Sequence, residues 1–395
     1  MNDVLLTPPA ARAARQAPLL PNLDYRLLAA IAAVALLGLV MMASASVSIA
    51  DRAFGDPLFY FKRQALYLTF GLVLAAPLLW IPLSYLQRLR WPLLGLAYLL
   101  LVLVLLIGRE VNGAVRWISL GFINLQVSEV AKLLIFVYLA GYLVRQEAAV
   151  RQTWQAFLVP VGLMLAAAVL LLAEPDFGAA AVMVATGMGM LFLAGVPLGR
   201  FVVLGVPVVA AGVALVLTSP YRVARLTAFL NPWADPFDSG FQLTQSLIAI
   251  GRGEWFGVGL GGSVQKLFYL PEAHTDFLFA VLAEELGLMG VAVTVLLYAY
   301  IVWRAFDVGN RSLRSGLHMG AYIAYATGLW LGLQVFVNMG VNMGLLPTKG
   351  LTLPLMSYGG SSVLMTLASL ALLVRADHEL RVASVAARPT RGRRA

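Results

Sequence analysis

The sequence changes from polar to apolar within Phe268–Gly287, which reads FYLPEAHTDFLFAVLAEELG. The first half of this stretch is polar and ends in the carboxylate Asp276, whereas the second half opens an apolar run. It closes a polar segment that begins at Tyr221 and interrupts a chain that is apolar almost everywhere else. We interpret the polar segment as the working surface of the protein, which membrane helices hold at the lipid–water boundary.

The composition excludes a soluble domain. Hydrophobic residues make up 61% of the 395 residues, charged residues make up 12%, and the mean hydropathy is +0.86. No globule has enough interior to bury so many apolar side chains. The apolar runs are continuous and do not alternate, so we expect membrane-spanning helices and not a barrel. The first run has no small-residue cleavage site behind it, and we expect it to remain as a span.

The rare residue types exclude several kinds of site. The chain contains no cysteine, which excludes disulfides, Cys-ligated metals and thiol nucleophiles. Its histidines are His274, His318 and His378, which lie far apart in the sequence. A His-rich metal centre is therefore not expected.

Ten apolar runs predict an all-α polytopic membrane protein with about ten transmembrane helices. The membrane domain covers 27–376, and a large extracytoplasmic loop, 219–276, separates the seventh helix from the eighth. We expect a disordered cytoplasmic tail at 1–26 and a basic cytoplasmic tail at 377–395. The predicted spans are about Leu27–Ser44, Ala65–Leu83, Pro92–Gly108, Val130–Val144, Ala156–Ala173, Ala179–Val196, Phe201–Thr218, Phe277–Trp303, Gly316–Val337 and Gly359–Val374.

The positive charges predict the orientation, since cytoplasmic loops carry an excess of Lys and Arg. With both termini inside, the cytoplasmic side collects 17 of the 28 basic residues and the polar segment faces outward. The basic stretch Arg388–Arg394 fits contact with anionic lipid headgroups or an acidic partner, or else only the same charge rule. The 17 are Arg12, Arg15, Arg26, Arg88, Arg90, Arg145, Arg151, Arg200, Arg304, Arg311, Arg314, Arg375, Arg381, Arg388, Arg391, Arg393 and Arg394.

A first group of candidate site residues precedes the fourth span, in NGAVRWISLGFINLQVSEVAK, Asn112–Lys132. Arg116 could bind an anionic ligand through its fork of donors, and Trp117 could stack on a sugar. Glu129 and Lys132 lie three residues apart, on one helical face, where they can neutralise each other. The alternative is an interfacial Trp–Arg anchor followed by a structural ion pair.

A second group is AEPDFG, Ala173–Gly178, a tight turn between the fifth and sixth spans. Its acids, Glu174 and Asp176, could bind a cation or substrate hydroxyls. They could also do no more than solvate the turn.

A third group lies in the polar segment. Leu243, Leu247, Ile248 and Ile250 recur with an apolar–polar pattern that predicts a short helix in the membrane interface. The glycines between Gly251 and Gly262 fit no phosphate-loop spacing, so they indicate a closely packed loop and not a nucleotide site.

Asp276 is the strongest candidate for a catalytic residue. It could simply cap the N-terminus of the eighth span. Capping, however, does not require Glu272 and His274 beside it. A carboxylate at this boundary is placed to take a proton from a hydroxyl nucleophile. For the acids further along the helix, Glu284 and Glu285, we favour a structural role.

The last group joins the ninth and tenth spans, in NMGVNMGLLPTKGLTLPLMSYGGSS, Asn338–Ser362. A lone Lys349 on an outer loop runs against the charge rule and suggests a bound anion such as a diphosphate. The small residues Gly359 and Gly360 would let a helix or a ligand approach closely.

These motifs resemble the SEDS family (shape, elongation, division and sporulation) of bacterial peptidoglycan glycosyltransferases, over about Leu27 to Arg375. The resemblance is carried by RWISLG, QVSEVAK, EPDFG, NPWADPF, FQLTQSLIAIGRGEWFGVGLG, SVQKLFYLPEAHTDFLFAVLAEELG and LPTKGLTLPLMSYGGSS. SVQKLFYLPEAHTDF favours the cell-division branch over the elongation branch. The chain departs from the family at Val127, where Pro is usual, and at Phe241, where Tyr is common.

The resemblance implies that the protein polymerises lipid II, an undecaprenyl-diphosphate disaccharide-pentapeptide, on the outer face of the membrane. It implies that Asp276 takes the proton from the GlcNAc 4-hydroxyl of the acceptor, which attacks the anomeric carbon of the donor MurNAc with inversion and expels undecaprenyl diphosphate. Positive charge for the diphosphate would come from Lys349, from Arg116 or from a divalent cation, Mg or Mn. The expected substrate-binding residues are Arg116, Trp117, Gln126, Glu129, Lys132, Asp176, Gln242, Gln245, His274, Lys349, Ser357, Gly359 and Gly360.

The resemblance also implies partners and a location. The expected partners are a class B penicillin-binding protein, which is a single-span septal transpeptidase, other division proteins, and membrane lipids. No nucleic acid is expected. The location would be the bacterial cytoplasmic membrane, at the division septum.

Two functions of other classes compete with the enzyme. The first is a lipid II flippase that uses Glu129, Lys132, Glu284 and Glu285 as a polar track through the membrane. The second is a non-catalytic scaffold of the division machinery.

Overall fold

The structure is a computed structural model that describes residues 23–111, 114–119, 121, 124–218, 223, 229–237, 240–267, 269–347 and 350–386. Within these ranges a helix lies at each of the ten predicted apolar runs, and two shorter helices lie between them. The helices are α1 (Tyr25–Phe54), α2 (Phe59–Ala75), α3 (Leu83–Arg88), α4 (Arg90–Ile107), α5 (Val127–Gln152), α6 (Trp154–Ala173), α7 (Phe177–Leu193), α8 (Leu198–Leu217), α9 (Phe241–Gly253), α10 (Leu278–Arg314), α11 (His318–Asn342) and α12 (Gly360–Ala386).

Seven of the described helices are long and apolar enough to cross a membrane, namely α1, α4, α5, α6, α10, α11 and α12. The apolar helix α7 and the first part of α8 are shorter. The predicted all-α polytopic class is thus confirmed, while the number of spans stays a prediction. Of these seven helices, α12 is the most buried: 94% of the residues in its most apolar 18-residue stretch are buried.

Charged side chains form ion pairs where α1, α10 and α12 extend beyond the predicted spans. Arg304 in α10 bonds Asp24 at 2.6 Å and Asp377 at 3.1 Å, and Arg381 bonds Asp377 at 2.5 Å. Asp24 also caps α1 by accepting bonds from two backbone N–H groups. The predicted boundaries at 26 and 376 therefore fall inside helices, and α12 continues to Ala386.

A small antiparallel sheet, which the sequence analysis did not predict, lies between α4 and α5. Its strands are β1 (Arg109–Val111), β2 (Ala114–Ser119) and β3 (Asn124–Gln126), in the order β1-β2-β3. Trp117 pairs with Gln126 across β2 and β3, and β3 leads directly into α5. Arg116 and Trp117 are therefore held on a strand.

The polar segment folds against the start of α10. The predicted interfacial helix is present as α9, which buries Leu243 and Ala249 and leaves Gln242 exposed. The helix α9 packs mainly on α10 and also touches α11.

The helix α10 is broken at Gly287, whose φ of 62° and ψ of −165° suit only glycine. The loop that follows α9 supplies the missing backbone partners: Val258 N–H donates to the Glu284 carbonyl at 3.0 Å, and Leu288 N–H donates to the Glu254 carbonyl at 2.9 Å. A Cβ at Gly257 would lie 2.1 Å from the Glu285 carbonyl oxygen, so only glycine allows this approach. The loop is closely packed, as its glycines indicated.

Candidate functional site

Asp276 lies immediately before α10, and its side chain is half-buried. Its backbone carbonyl accepts bonds from Asn338 Nδ2 at 2.9 Å and from Asn342 Nδ2 at 3.0 Å, both on α11. Asn342 Oδ1 also accepts from the Ala280 N–H at 3.2 Å. These amides hold the start of α10, where no side chain serves as the N-cap.

The Asp276 carboxylate itself accepts no hydrogen bond from the described residues, so the capping explanation for this acid fails. Its Oδ2 lies 2.9 Å from the place that a Cβ on Gly350 would occupy. Glycine at that position therefore leaves room for the carboxylate. The backbone of the loop between α11 and α12 thus reaches Asp276.

Burial raises the pKa of Asp276 from 3.8 to about 7; the negative charge of Glu272 adds to this shift, and the positive charge of Arg116 opposes it. A carboxylate whose pKa lies near neutral pH combines an available deprotonated form with useful basicity. Such values are typical of catalytic groups.

Arg116 connects β2 to the turn between α6 and α7. Its Nε donates to the Glu174 carbonyl at 3.1 Å, and its Nη2 donates to the Pro175 carbonyl. Its charge acts on both Asp276 and Glu174. The structure therefore brings the RWISLG and EPDFG motifs to Asp276.

The two acids of the turn are both buried, so the alternative that they only solvate it is wrong. Asp176 caps α7 through the Ala179 N–H at 3.1 Å and accepts from Ser128 Oγ at 2.9 Å and Gln126 Nε2 at 3.3 Å. These bonds join the start of α5 to the start of α7. Roles for Asp176 and Gln126 in substrate binding stay predictions.

Glu174 differs from Asp176 because neither of its carboxylate oxygens has a hydrogen-bond partner among the described residues. The pKa of Glu174 is raised from 4.5 to about 8, mainly by burial and also by the negative charge of Asp176, while the positive charge of Arg116 opposes the shift. This side chain therefore keeps its proton to a higher pH than an ordinary glutamate does.

Glu129 and Lys132 form a buried ion pair, with 2.8 Å between Lys132 Nζ and Glu129 Oε1. The Lys132 ammonium also lies 5.1 Å from the ring centroid of Trp330 on α11. The structure thus places the pair between α5 and α11, where the two charges neutralise each other. Direct contact of the pair with substrate stays a prediction.

The loop before α12 is fastened to the segment that carries Asp276. The Tyr358 N–H donates to the His274 carbonyl at 3.0 Å, and Ser357 Oγ accepts from the Leu353 N–H at 2.9 Å. A Cβ at Gly360 would lie 3.0 Å from the ring of Tyr67, so a larger residue would push α2 and α12 apart. Gly359 is half-buried beside it.

His274 packs between two tyrosines that the sequence analysis missed. Its ring centroid lies 4.6 Å from that of Tyr60 and 6.0 Å from that of Tyr358. His274 Nδ1 is buried and has no hydrogen-bond partner among the described residues. Burial lowers the pKa of His274 below its ordinary value, while Glu272 opposes the shift, so the ring is mainly neutral at neutral pH.

Some predicted residues lie elsewhere or outside the described ranges. Gln242 is exposed and Gln245 half-buried on α9, and no contact in the described ranges joins either of them to Asp276. Lys349 lies outside the described residues. Asn338 and Asn342 were missed, although their spacing of four within an apolar span puts them on one helical face and is a usable signal.

Glu284 and Glu285 are fully buried and fully paired. Glu284 accepts from Arg252 Nη1 at 2.9 Å and from the Val264 N–H at 3.0 Å, and Glu285 accepts from Lys266 Nζ and from Ser44 Oγ, both at 2.7 Å. These bonds tie the polar segment to α10 and α1. The structural role favoured for the two acids agrees with this arrangement.

No group of three or more His, Asp or Glu side chains converges anywhere in the described ranges in a way that could hold a metal ion. A cation held by protein donors alone therefore does not fit these residues. A cation brought by the diphosphate stays a prediction.

Comparisons with known proteins place the chain in a family. Residues 25–382 match the family model FtsW/RodA/SpoVE, described as "Cell cycle protein". The chain is 60% identical over 366 residues to the "Probable peptidoglycan glycosyltransferase FtsW" of Thioalkalivibrio sulfidiphilus, covering 92% of each protein. It is 59% identical over 370 residues to the protein of the same name from Alkalilimnicola ehrlichii, covering 93% of this chain and 92% of that protein.

Similar solved structures support the same family. A chain from the structure described as "Structural coordination of polymerization and crosslinking by a peptidoglycan synthase complex" matches with a TM-score of 0.74 and 35% identity, over 90% of this chain and 98% of that chain. The rod shape determining protein RodA of Thermus thermophilus matches with a TM-score of 0.66 and 31% identity, over 91% and 98%. This chain therefore belongs to the FtsW, RodA and SpoVE family, which is the SEDS family, and within it to the FtsW type.

Proposed function

We propose that this protein is a peptidoglycan glycosyltransferase that polymerises lipid II at the outer face of the cytoplasmic membrane during septal wall synthesis. The reaction class is supported by relatives named as probable peptidoglycan glycosyltransferases, and this chain aligns with more than nine-tenths of their length. The observation that carries the mechanism is the Asp276 carboxylate, which is half-buried and accepts no hydrogen bond from the described residues. Burial gives it a pKa of about 7.

Asp276 acts as the general base. It accepts the proton of the GlcNAc 4-hydroxyl while that oxygen forms a bond to the anomeric carbon of the donor MurNAc. The bond from this carbon to the diphosphate oxygen breaks, its electron pair leaves with the diphosphate, and the configuration inverts. The bonds from Asn338 and Asn342 to its own backbone fix the position of the base.

Undecaprenyl diphosphate leaves as an anion and needs positive charge more than it needs a proton. Arg116 supplies such charge beside Asp276, and it is held by two backbone carbonyls. Lys349 is a second proposed source. The described side chains form no group of three or more His, Asp or Glu residues that could hold a divalent cation.

The arrangement of the buried charges supports an enzyme over a flippase. Glu129 pairs with Lys132, whereas Glu284 and Glu285 pair with Arg252 and Lys266. Each acid thus has a fixed local partner, whereas a polar track for a moving headgroup needs free groups along its length.

The proposal includes a partner and a location. The structure with the TM-score of 0.74 comes from a peptidoglycan synthase complex that coordinates polymerisation and crosslinking. By this likeness a class B penicillin-binding protein would supply the crosslinking activity. We also propose that the protein acts at the division septum and that both of its termini are cytoplasmic.

The test is polymerisation of lipid II by the purified full-length protein in detergent, with and without a class B transpeptidase. Detergent removes the two sides of the membrane, so a flippase or a scaffold makes no glycan strands there. We expect strands from the wild type and from Lys62→Gln, a surface control, and none from Asp276→Asn. Polymerisation by Asp276→Asn at the wild-type rate would overturn the assignment of the base.

A further inference from the structure

An aromatic wall stands beside Asp276, and the mechanism above does not use it. The wall consists of Tyr60 from α2, His274 from the segment before α10, and Tyr358 from the loop before α12. The ring centroids of Tyr60 and Tyr358 lie 5.0 Å apart with the rings nearly perpendicular, and His274 lies 4.6 Å from Tyr60. Three separate parts of the chain therefore meet there, two residues from the base.

The wall is held by backbone and ring contacts and is only half-buried. The bond from the Tyr358 N–H to the His274 carbonyl joins two of its members, and Tyr67 packs behind Tyr358 at 6.1 Å. All three rings of the wall keep part of their surface accessible. His274 Nδ1 has no partner among the described residues, so this nitrogen can still form a hydrogen bond.

A guanidinium adjoins the wall. Arg63 lies almost one helical turn after Tyr60 on α2 and is exposed. Its charge acts on Tyr358, although burial dominates and raises the pKa of that phenol. No carboxylate pairs with Arg63 in the described part of the chain. Its neighbour Lys62, by contrast, pairs with Asp56 at 2.9 Å.

These groups suit one class of ligand. The faces of aromatic rings pack against the C–H faces of pyranose sugars, and a phenol or imidazole can also bond a sugar hydroxyl. A guanidinium binds phosphate oxygens through two parallel hydrogen bonds. Arg63 Cζ lies 5.2 Å from the ring centroid of Phe59, and no described carboxylate neutralises its charge. A wall of three rings beside this arginine, close to a general base, fits a sugar that carries a diphosphate.

We propose that Tyr60, His274 and Tyr358 bind the sugar, and that Arg63 binds the diphosphate, of the lipid-linked saccharide that reacts at Asp276. The identity of that saccharide as lipid II rests on the proposed function. Arg63 acts electrostatically on Tyr358 at one side of the wall, and His274 at the other side is two residues from Asp276 in the sequence. A ligand bound along the wall has its phosphates near α2 and its sugar hydroxyls near the base.

The experiment measures binding and not turnover. Full-length protein carrying Asp276→Asn, in detergent, is titrated with fluorescent lipid II and, separately, with undecaprenyl diphosphate, which lacks the sugars. Arg63→Gln and Tyr358→Leu are each added to this background. The matched controls are Lys62→Gln, which removes an adjacent charge of the same sign, and Tyr85→Leu, which removes an exposed tyrosine beyond the far end of α2.

We expect Arg63→Gln to weaken binding of both ligands by about tenfold or more, since a charge-assisted bond to phosphate is lost. Tyr358→Leu should weaken binding of lipid II by about fivefold and leave undecaprenyl diphosphate unchanged, because only the sugar contacts the ring. The controls should stay within about twofold, the scale of screened surface charges. Tyr358→Phe keeps the ring and should retain most of the affinity, which separates stacking from a folding defect.

Equal affinities for Arg63→Gln and Lys62→Gln would overturn the diphosphate assignment. An equal loss for both ligands in Tyr358→Leu, or no loss for either, would overturn the sugar assignment. These results are separate from the proposed function, whose failure would appear as polymerisation by Asp276→Asn or as no binding of lipid II to any variant.

Discussion

Two sets of carboxylates stand near the start of α10 and have opposite surroundings. Glu284 and Glu285 lie inside the helix and are fully buried, and they accept bonds from Arg252, Lys266 and Ser44 at 2.7 to 2.9 Å. Asp276 lies just before the helix, and its carboxylate accepts no bond from the described residues. The same chemical group thus holds the fold in one place and, in the proposed mechanism, takes the proton in the other.

The difference follows from the cost of burying charge. A buried carboxylate is stable only when it is paired and hydrogen-bonded, as in the two glutamates. Asp276 accepts no such bond from the described residues, and its pKa is raised to about 7, mainly by burial. The paired glutamates hold the polar segment on α10, and this attachment helps to fix the place of Asp276.

The largest expected effect is on activity. Asp276→Asn should reduce kcat/KM for lipid II polymerisation by about 10²- to 10⁴-fold, the usual contribution of a general base. Glu284→Gln should keep near wild-type activity per folded molecule, because that carboxylate holds the loop and does not take the proton. Polymerisation rates normalised to folded protein check both variants, and equal losses would erase the distinction between the two sets.

The next effect is on stability. Glu285→Gln leaves Lys266 buried without its counter-charge, and breaking a buried pair costs about 3–5 kcal/mol. The melting temperature in detergent should therefore fall well below that of Glu254→Gln, an exposed carboxylate in the same segment. Removing both partners in Glu285→Gln with Lys266→Met should cost less than the sum of the single changes. Additive losses would contradict the pairing.

A smaller loss is expected at the break of α10. An alanine at Gly287 must adopt φ 62° with ψ −165°, and its Cβ would lie 2.4 Å from the Gly257 nitrogen. Strained backbone of this kind costs about 1–3 kcal/mol. Gly251→Ala is the control, since nothing lies within 4 Å of the added Cβ. Equal melting temperatures for the two variants would show that the break in α10 does not need glycine.

A further effect concerns the pH dependence of stability. The pKa of Asp276 is raised from 3.8 to about 7 by burial, so the native state holds this proton more tightly than the unfolded state does. Its contribution to stability is present at low pH and is lost as the pH rises towards about 7. Asp276→Asn should therefore raise the melting temperature relative to wild type above neutral pH and less so in acid. A lower melting temperature for the variant across this range would contradict the sign.

A described helix lies at each of the ten apolar runs of the sequence, because continuous hydrophobicity is a strong signal for a membrane helix. Their ends were less predictable. Arg304 joins Asp24 to Asp377, and partners so far apart in the sequence cannot be recognised before the fold is known. The sheet was missed because its strands β1 and β3 have three residues each, too few to show a period.

In the candidate site too, some residues could be recognised from the sequence, whereas others are brought together only by the packing of the fold. Asp276 was predicted because a carboxylate at the mouth of an apolar helix is unusual in the sequence itself. Tyr60 and Arg63 were missed, since only the packing of α2 against the loop before α12 brings them to His274. Glu174 and Asp176 were recognised as acids of one turn, but their contrast, one unpaired and the other a helix cap, depends on side-chain positions.

The most direct test of the account is the pH dependence of lipid II polymerisation by the wild type and by Glu272→Gln. If Asp276 is the base, kcat/KM rises about tenfold per pH unit in acid, as a single base deprotonates, and levels off above the Asp276 pKa of about 7. In Glu272→Gln the midpoint should move to lower pH, because the neighbouring negative charge that raises the pKa of Asp276 is gone. A rate that does not change across this pH range, or a midpoint unmoved by Glu272→Gln, would contradict the claim that Asp276 is the base.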